Sequence, residues 1–376
     1  MKRSGLLALL FAAACAGRQV RPKLAITAAQ APGFDNAALN AVLNEANNGT
    51  ANIHSIVIER QRNIVAEIYR SGADKTMMKR YGLGNPFAAD TEFDATTLHD
   101  VRSVSKSVTS LLFGLTKYRD LMPGTATPVL NSYPEFAGLA TPERSNITYG
   151  HLLTMTSGLA WKEWGRGFIT SHETRLLWKN DRARYVLDRE QDARPGEKFN
   201  YNGGSTAILA DTLERKTGKP LAELARTELF EPLGISTWEW ATDSQGRALP
   251  HAGLRLKPRD MIKIGRLVLQ RGKWNGQQLI APEWIEASLR TQVKTGVVFF
   301  SATGEELGYG YQWWTGHSKN RDRIVSWSAA IGNGGQRIYI VPELDMVVVF
   351  TAGDYGSQPI HRAIAQIFDG IVASVR

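Results

Sequence analysis

The stretch HDVRSVSKSVTSLLFGL, residues 99–115, decides how this chain is read. Ser103 and Lys106 stand three apart in it, and nowhere else in the chain does a lysine follow a serine at that spacing. Residues three apart share a helix face. Val104, Val108, Leu111, Leu112 and Leu115 recur at helical spacing as one apolar stripe, which predicts a helix over Ser103–Leu115. A serine hydroxyl at its ordinary pKa attacks a carbonyl poorly and needs a base within hydrogen-bond reach. A lysine on a buried helix can be that base, because lost hydration disfavours its ammonium form. The same four residues also fit a capping serine and a surface lysine on an ordinary helix, so the rest of the chain has to decide.

Working outward, 376 residues with 43% hydrophobic content can bury a large core as one big domain or two smaller ones. The net charge of +9 is spread among acidic residues and never forms a run, which speaks against a nucleic-acid partner. Lys2 and Arg3 precede an uncharged stretch, Leu6–Ala14, that is too short to span a bilayer and is followed by small residues. This is the build of an export signal over residues 1–16. Ala14-Cys15-Ala16 fits ordinary cleavage, whereas Ala-Ala-Ala-Cys15 resembles a lipobox. The lipoprotein reading is preferred because Cys15, the sole cysteine, sits where a lipid would attach, although alanine replaces the usual leucine three residues before it. An exported protein in the periplasm or cell envelope, tethered through Cys15, is expected.

Beyond the signal, SIVIER and NIVAEIY read as a β-hairpin near residues 55–69. Residues 324–328, 335–341 and 345–352 read as three further antiparallel strands, and Ser357–Ala373 as an amphipathic helix packed on them. Between these ends, Ser103–Leu115, His151–Thr156, Arg182–Leu187, Thr206–Lys216 and Leu221–Phe230 have helical patterning. The expected organisation is a catalytic unit over 24–376, with an α/β region of about 24–98 and 246–376 and a helical region of about 99–245. There is no G-x-S-x-G elbow, H-E-x-x-H, Walker loop or G-x-G-x-x-G. The seven histidines lack ligand-type spacing and read as structural or exposed; His151 is expected to hydrogen-bond near a helix start.

Five segments in order, Ser103-Val-Ser-Lys106, Asn146–Gly158 (NITYGHLLTMTSG), Pro195–Tyr201 (PGEKFNY), Glu231–Ile235 (EPLGI) and Gly332–Gln336 (GNGGQ), resemble the serine β-lactamase and penicillin-binding-protein superfamily. Within it the chain is most similar to class C β-lactamase-related hydrolases of the esterase and 6-aminohexanoate-dimer hydrolase branch. The resemblance implies an α+β, β-lactamase-like fold: an antiparallel sheet flanked by terminal helices, with an inserted helical domain carrying the nucleophile. It implies Ser103 as the acylated nucleophile, Lys106 as its proton acceptor and Tyr201 as a tyrosine ionised below its usual pKa by nearby cations. Gly332 lets backbone approach the substrate, and the Asn333 amide joins that of Ser103 as an oxyanion hole. Two departures bear on substrate. Ala330 and Ile331 stand where lactamases carry a cation or hydroxyl, and Tyr201-Asn202-Gly203 replaces Tyr-x-Asn, leaving Asn202 to turn inward if an amide is to bind substrate. Trp161 and Trp164 are placed at the cleft, with Trp313 and Trp314 as a second wall or as core.

The resulting expectation is a serine hydrolase of small carboxylic esters or amides, oligoamides included, working through an acyl-enzyme. No metal, organic cofactor, nucleic acid or obligate protein partner is implied. A D-amino-acid peptidase or weak β-lactamase is the alternative enzyme, and a penicillin-binding-like envelope protein with little turnover the alternative class.

Overall fold

A computed structural model describes residues 31–163 and 171–376; the export signal with Cys15, and Trp164, lie outside the described residues. Eight antiparallel strands make the main sheet: β1 (Ile53–Arg60), β2 (Asn63–Tyr69), β3 (Val293–Lys294), β4 (Gly308–Tyr309), β5 (Trp314–Asn320), β6 (Arg323–Gly332), β7 (Gln336–Val341) and β8 (Met346–Ala352). Their order is β3-β4-β5-β6-β7-β8-β1-β2, so the N-terminal hairpin completes a sheet whose other strands come from the far end of the chain. The hairpin, the three later strands and the C-terminal helix stand where the sequence predicts them.

Strand alternation explains why the sheet is covered on both sides. Val57, Ile338, Ile340, Val347 and Val349 face one core, whereas Ile56, Ile58, Tyr339, Val341, Val348 and Phe350 face the other. The second face is covered by helix α1 (Asn36–Asn48), capped by Asp35, and helix α5 (Gln358–Ala373), which pack together. Against the first lies helix α4 (Pro258–Leu269), where Gly265 meets Val347 and Ile338; a Cβ there would come within 2.5 Å of Val347. Beyond α4 the same core runs into the helical middle, centred on helix α2 (Val104–Tyr118) and helix α3 (Gly203–Thr217).

Helix α2 is buried continuously from Val104 to Thr116, so its hydroxyls need protein partners. Ser107 donates to the Gln312 carbonyl at 2.6 Å, Ser110 to that of Tyr311 at 2.8 Å and Thr109 to that of Pro250 at 3.0 Å. Serine-rich spacing that looks polar in sequence thus fastens a central helix to two distant segments.

Two readings need correction. The helix expected over His151–Thr156 runs Tyr149–Leu153, because Thr148 caps it earlier and Met155, in the left-handed region at φ 60°, ends it. His151 does sit at that start, its Nδ1 accepting from the Thr148 amide at 3.1 Å. Strand β5 was not foreseen: WTGHSKN lacks apolar alternation, yet it pairs along its whole length with β6.

Candidate active site

Ser103 occupies the N-cap position of α2, directly after Arg102, whose backbone is left-handed at φ 50°. That strained conformation is held by tertiary contacts: Arg102 lies within 3.4 Å of Asp100, donates to the Lys75 carbonyl and stacks over the Tyr355 ring. One turn on, Lys106 is 1% exposed and donates to Ser103 Oγ at 3.1 Å, to Glu163 Oε1 at 2.8 Å and to the His251 carbonyl at 3.2 Å. Tyr201 hydrogen-bonds Ser103, and Lys106 Nζ lies 4.7 Å from the centre of its ring. The structure thus brings together Ser103, Lys106 and Tyr201, which the sequence separates by up to 98 positions.

Glu163 is the residue the sequence did not offer. Its Oε2 accepts from Trp161 Nε1 at 2.8 Å and from the Gly203 amide at 2.7 Å, while Oε1 accepts from Lys106. Glu173 lies against Glu163, and His251 Nε2 is 3.5 Å from Glu173. Burial alone would strip the proton from Lys106, but Glu163, with help from Tyr201 and Glu173, overrides it and raises the ammonium pKa above its ordinary value. Burial opposes ionisation of Glu163 too, and Lys106 reverses this, bringing the carboxyl down to about 2. Glu173, buried beside an anion, is pushed well above the carboxylate range and keeps its proton. His251, buried beside Lys106, falls to about 3 and stays neutral.

These shifts correct two expectations. Lys106 is not a depressed-pKa amine but one half of a buried ion pair. Tyr201 is raised, because burial outweighs the pull of Lys106 and Ser103, so the resting side chain is a phenol and not a phenolate.

Two residues expected at the substrate, Asn202 as a binding amide and Trp161 at the cleft border, are employed elsewhere. Asn202 caps α3, its side chain accepting from the Ser205 amide at 3.0 Å, and it does not turn into the cleft. Trp161 is 5% exposed and lines neither arm of the cleft; it holds Glu163 in place. Gly203, which read as a lost substrate-binding amide, supplies the backbone donor to Glu163, and a Cβ there would sit 3.1 Å from that carboxylate.

Asn333 and Gly332 are where they were expected. Strand β6 passes close to the start of α2, so a Cβ on Gly332 would come within 2.3 Å of the Val101 carbonyl oxygen. Among the described residues, neither the Ser103 amide nor the Asn333 amide donates to a protein acceptor. Asn333 stands between two arms of one cleft. A cavity of about 260 Å³ runs past Ser103 to Glu163, Glu173 and His251, and a second, of about 320 Å³, runs from Ser103 and Tyr201 to Phe299, Phe300, Trp314 and His361. Trp314 is therefore a wall and Trp313, fully buried, is core. No group of three or more His, Cys, Asp or Glu side chains arranged to hold a metal ion occurs among the described residues.

A serine–lysine–tyrosine cluster at the junction of a helical domain and an antiparallel sheet defines a hydrolase class, that of β-lactamases and penicillin-binding proteins. The chain belongs to the beta-lactamase family, whose model matches residues 58–369. It is 25% identical over 310 residues to the 6-aminohexanoate-dimer hydrolase of Paenarthrobacter ureafaciens, a match covering 78% of this chain and 71% of the relative. Among solved structures it is similar to a putative 6-aminohexanoate-dimer hydrolase from Bacillus anthracis, with TM-score 0.65 and 20% identity over 88% of this chain and 80% of that one. A family VIII carboxylesterase aligns with TM-score 0.64 and 14% identity over 90% of this chain and 97% of the other.

Proposed function

We propose that the protein is an exported serine hydrolase that opens small carboxylic esters or amides through an acyl-enzyme on Ser103. The observation that carries this reading is Ser103 Oγ, 3.1 Å from Lys106 Nζ and hydrogen-bonded by Tyr201, at the junction of two cavities and beside two amides without acceptors. The Ser103 and Asn333 N–H groups receive the developing oxyanion, a stabilisation of about 3 kcal/mol per donor in other acyl-transfer sites.

The ion pair shapes the proton route. Because Lys106 rests as an ammonium, it accepts the serine proton only as its own proton passes to Glu163 Oε1, 2.8 Å away. Serine oxygen attacks, its proton moves to Lys106, and one Lys106 proton moves to Glu163, so Lys106 stays an ammonium while the negative charge passes from Glu163 to the developing oxyanion. The Tyr201 phenol then protonates the leaving group and is refilled from Lys106. Water enters and the acyl group leaves by the same transfers in reverse. The esterase and oligoamide-hydrolase relatives, together with Ala330 and Ile331 at the position where lactamases grip a carboxylate, support ester or amide substrates over β-lactams. Export to the envelope rests on the basic and apolar start of the chain with Cys15.

Incubation with p-nitrophenyl butyrate tests the reading. A burst of p-nitrophenol followed by turnover is expected, with at least about 10³-fold loss in Ser103→Ala. Folded protein that releases no p-nitrophenol, or a Ser103→Ala variant as active as the parent, rules it out.

A further inference from the structure

Behind the larger arm of the cleft lies a cation that no carboxylate among the described residues balances. Arg337, on β7, is fully buried and pairs with no carboxylate among the described residues. Its Nη1 donates to the carbonyls of Gln336 at 2.9 Å and Gly332 at 3.3 Å, its guanidinium packs 5.2 Å from the Phe300 ring centre, and the buried Tyr339 hydroxyl, a neutral group, lies beside it. A buried cation is costly without a counter-charge. A further contact runs from Nη2 to His361 Nδ1, at 2.8 Å.

That contact fixes the histidine. A guanidinium can only donate, so Nδ1 must be the bare acceptor and the ring proton must sit on Nε2. His361 is 6% exposed, and Nε2 has no protein partner among the described residues. The ring lines the cavity that begins at Ser103, edge-on to Phe300 with centroids 4.8 Å apart. Burial and Arg337 together hold the imidazole neutral, down to about 2. No acidic side chain lines this cavity, and the first residues of α5, Ser357 and Gln358, complete its end without a side-chain cap.

We propose that this arm is a subsite for a carboxylate borne on an apolar chain, the chain lying on Phe299, Phe300 and Trp314 and the carboxylate accepting from His361 Nε2–H with Arg337 behind it as counter-charge. The inference deepens the hydrolase reading: it restores, from a different part of the fold, the anion recognition that Ala330 and Ile331 do not supply. A neutral donor polarised by a buried cation discriminates by charge without offering the cleft a solvated ion that a neutral substrate would have to strip of water.

Binding is best read without turnover. In Ser103→Ala protein at pH 7.5, calorimetry should show hexanoate binding about tenfold or more tighter than hexanamide, the difference a charge-assisted hydrogen bond makes. His361→Leu should erase that difference while the folded protein, checked by circular dichroism, keeps its affinity for hexanamide. The imidazole resonances of His361 should move on adding hexanoate and not hexanamide, a readout that needs no change at position 361. Equal binding of the two ligands, a preference that survives His361→Leu, or an unmoved resonance overturns the subsite. Because alanine at 103 cannot be acylated, a failed acyl-enzyme reading leaves these results standing, and the converse also holds.

Discussion

Two arms of one cleft meet at Ser103 and treat charge in opposite ways. On one side Lys106, Glu163, Glu173 and His251 sum to neutrality, with one cation, one anion, one carboxylic acid and one neutral imidazole, all within a hydrogen-bonded cluster. On the other, Arg337 stands behind neutral His361 with no carboxylate paired to it among the described residues. A charge-balanced cluster can pass protons internally, whereas an unbalanced one is poised to take an anion from outside. On the proposed reading, the contrast separates the residues that make Ser103 reactive from those that choose what reaches it.

Substitutions that break one arm should therefore leave the other's signature intact. Glu163→Gln is expected to have the largest effect: kcat/KM falls about 10²-fold or more on every substrate, charged or not. The parent should show no acid limb in the ordinary carboxylate range, since Lys106 holds its acceptor below that range. In the variant Lys106 must lose its proton to solvent, so an acid limb should appear in the measurable range. Equal pH profiles would remove Glu163 from the proton route. Gly332→Ala comes next, because the new Cβ would meet the Val101 carbonyl oxygen at 2.3 Å and displace the Asn333 amide. Acylation should fall about 10- to 100-fold with KM little changed in steady-state kinetics; a pure KM effect would contradict the oxyanion role.

The last effect is on stability and not on turnover, and it reaches beyond the two arms. Burial holds His54 at about 4, His251 at about 3 and His361 at about 2, and pushes His99 well below its ordinary value, so all four are neutral in the fold. In the unfolded chain each takes a proton near pH 6.5. The unfolded state then binds more protons, so stability is fully present above pH 6.5 and declines toward pH 4, by about 1.4 kcal/mol per pH unit for each histidine. Urea midpoints at pH 7 and pH 5 measure this; an unchanged midpoint would mean that the rings are solvated.

The sequence made the frame legible because strands and helices announce themselves by period: the hairpin at 55–69, the strands from 323 to 352 and the striped helix after Ser103 are where the pattern puts them. It also carried Ser103, Lys106, Tyr201, Gly332 and Asn333, each inside a local motif. It could not carry Glu163, which follows Trp161-Lys162 in no recognisable pattern and gains its role only because Gly203, forty residues later, turns an amide toward it. The pKa expectations failed for the same reason. Burial of Lys106 was readable from the helix stripe, but the sign of its shift depends on an anion that only tertiary packing delivers. Asn202 and Trp161 were named for their neighbourhood, which is right, and given tasks that belong to a helix cap and to a brace for Glu163.

The central claim is that Ser103 becomes covalently acylated. Intact-protein and peptide mass spectrometry after reaction with a fluorophosphonate tests it most directly. A single adduct is predicted on the peptide containing Ser103, absent in Ser103→Ala and slowed in Glu163→Gln. An adduct on any other residue, or folded protein that takes up none, would contradict the account.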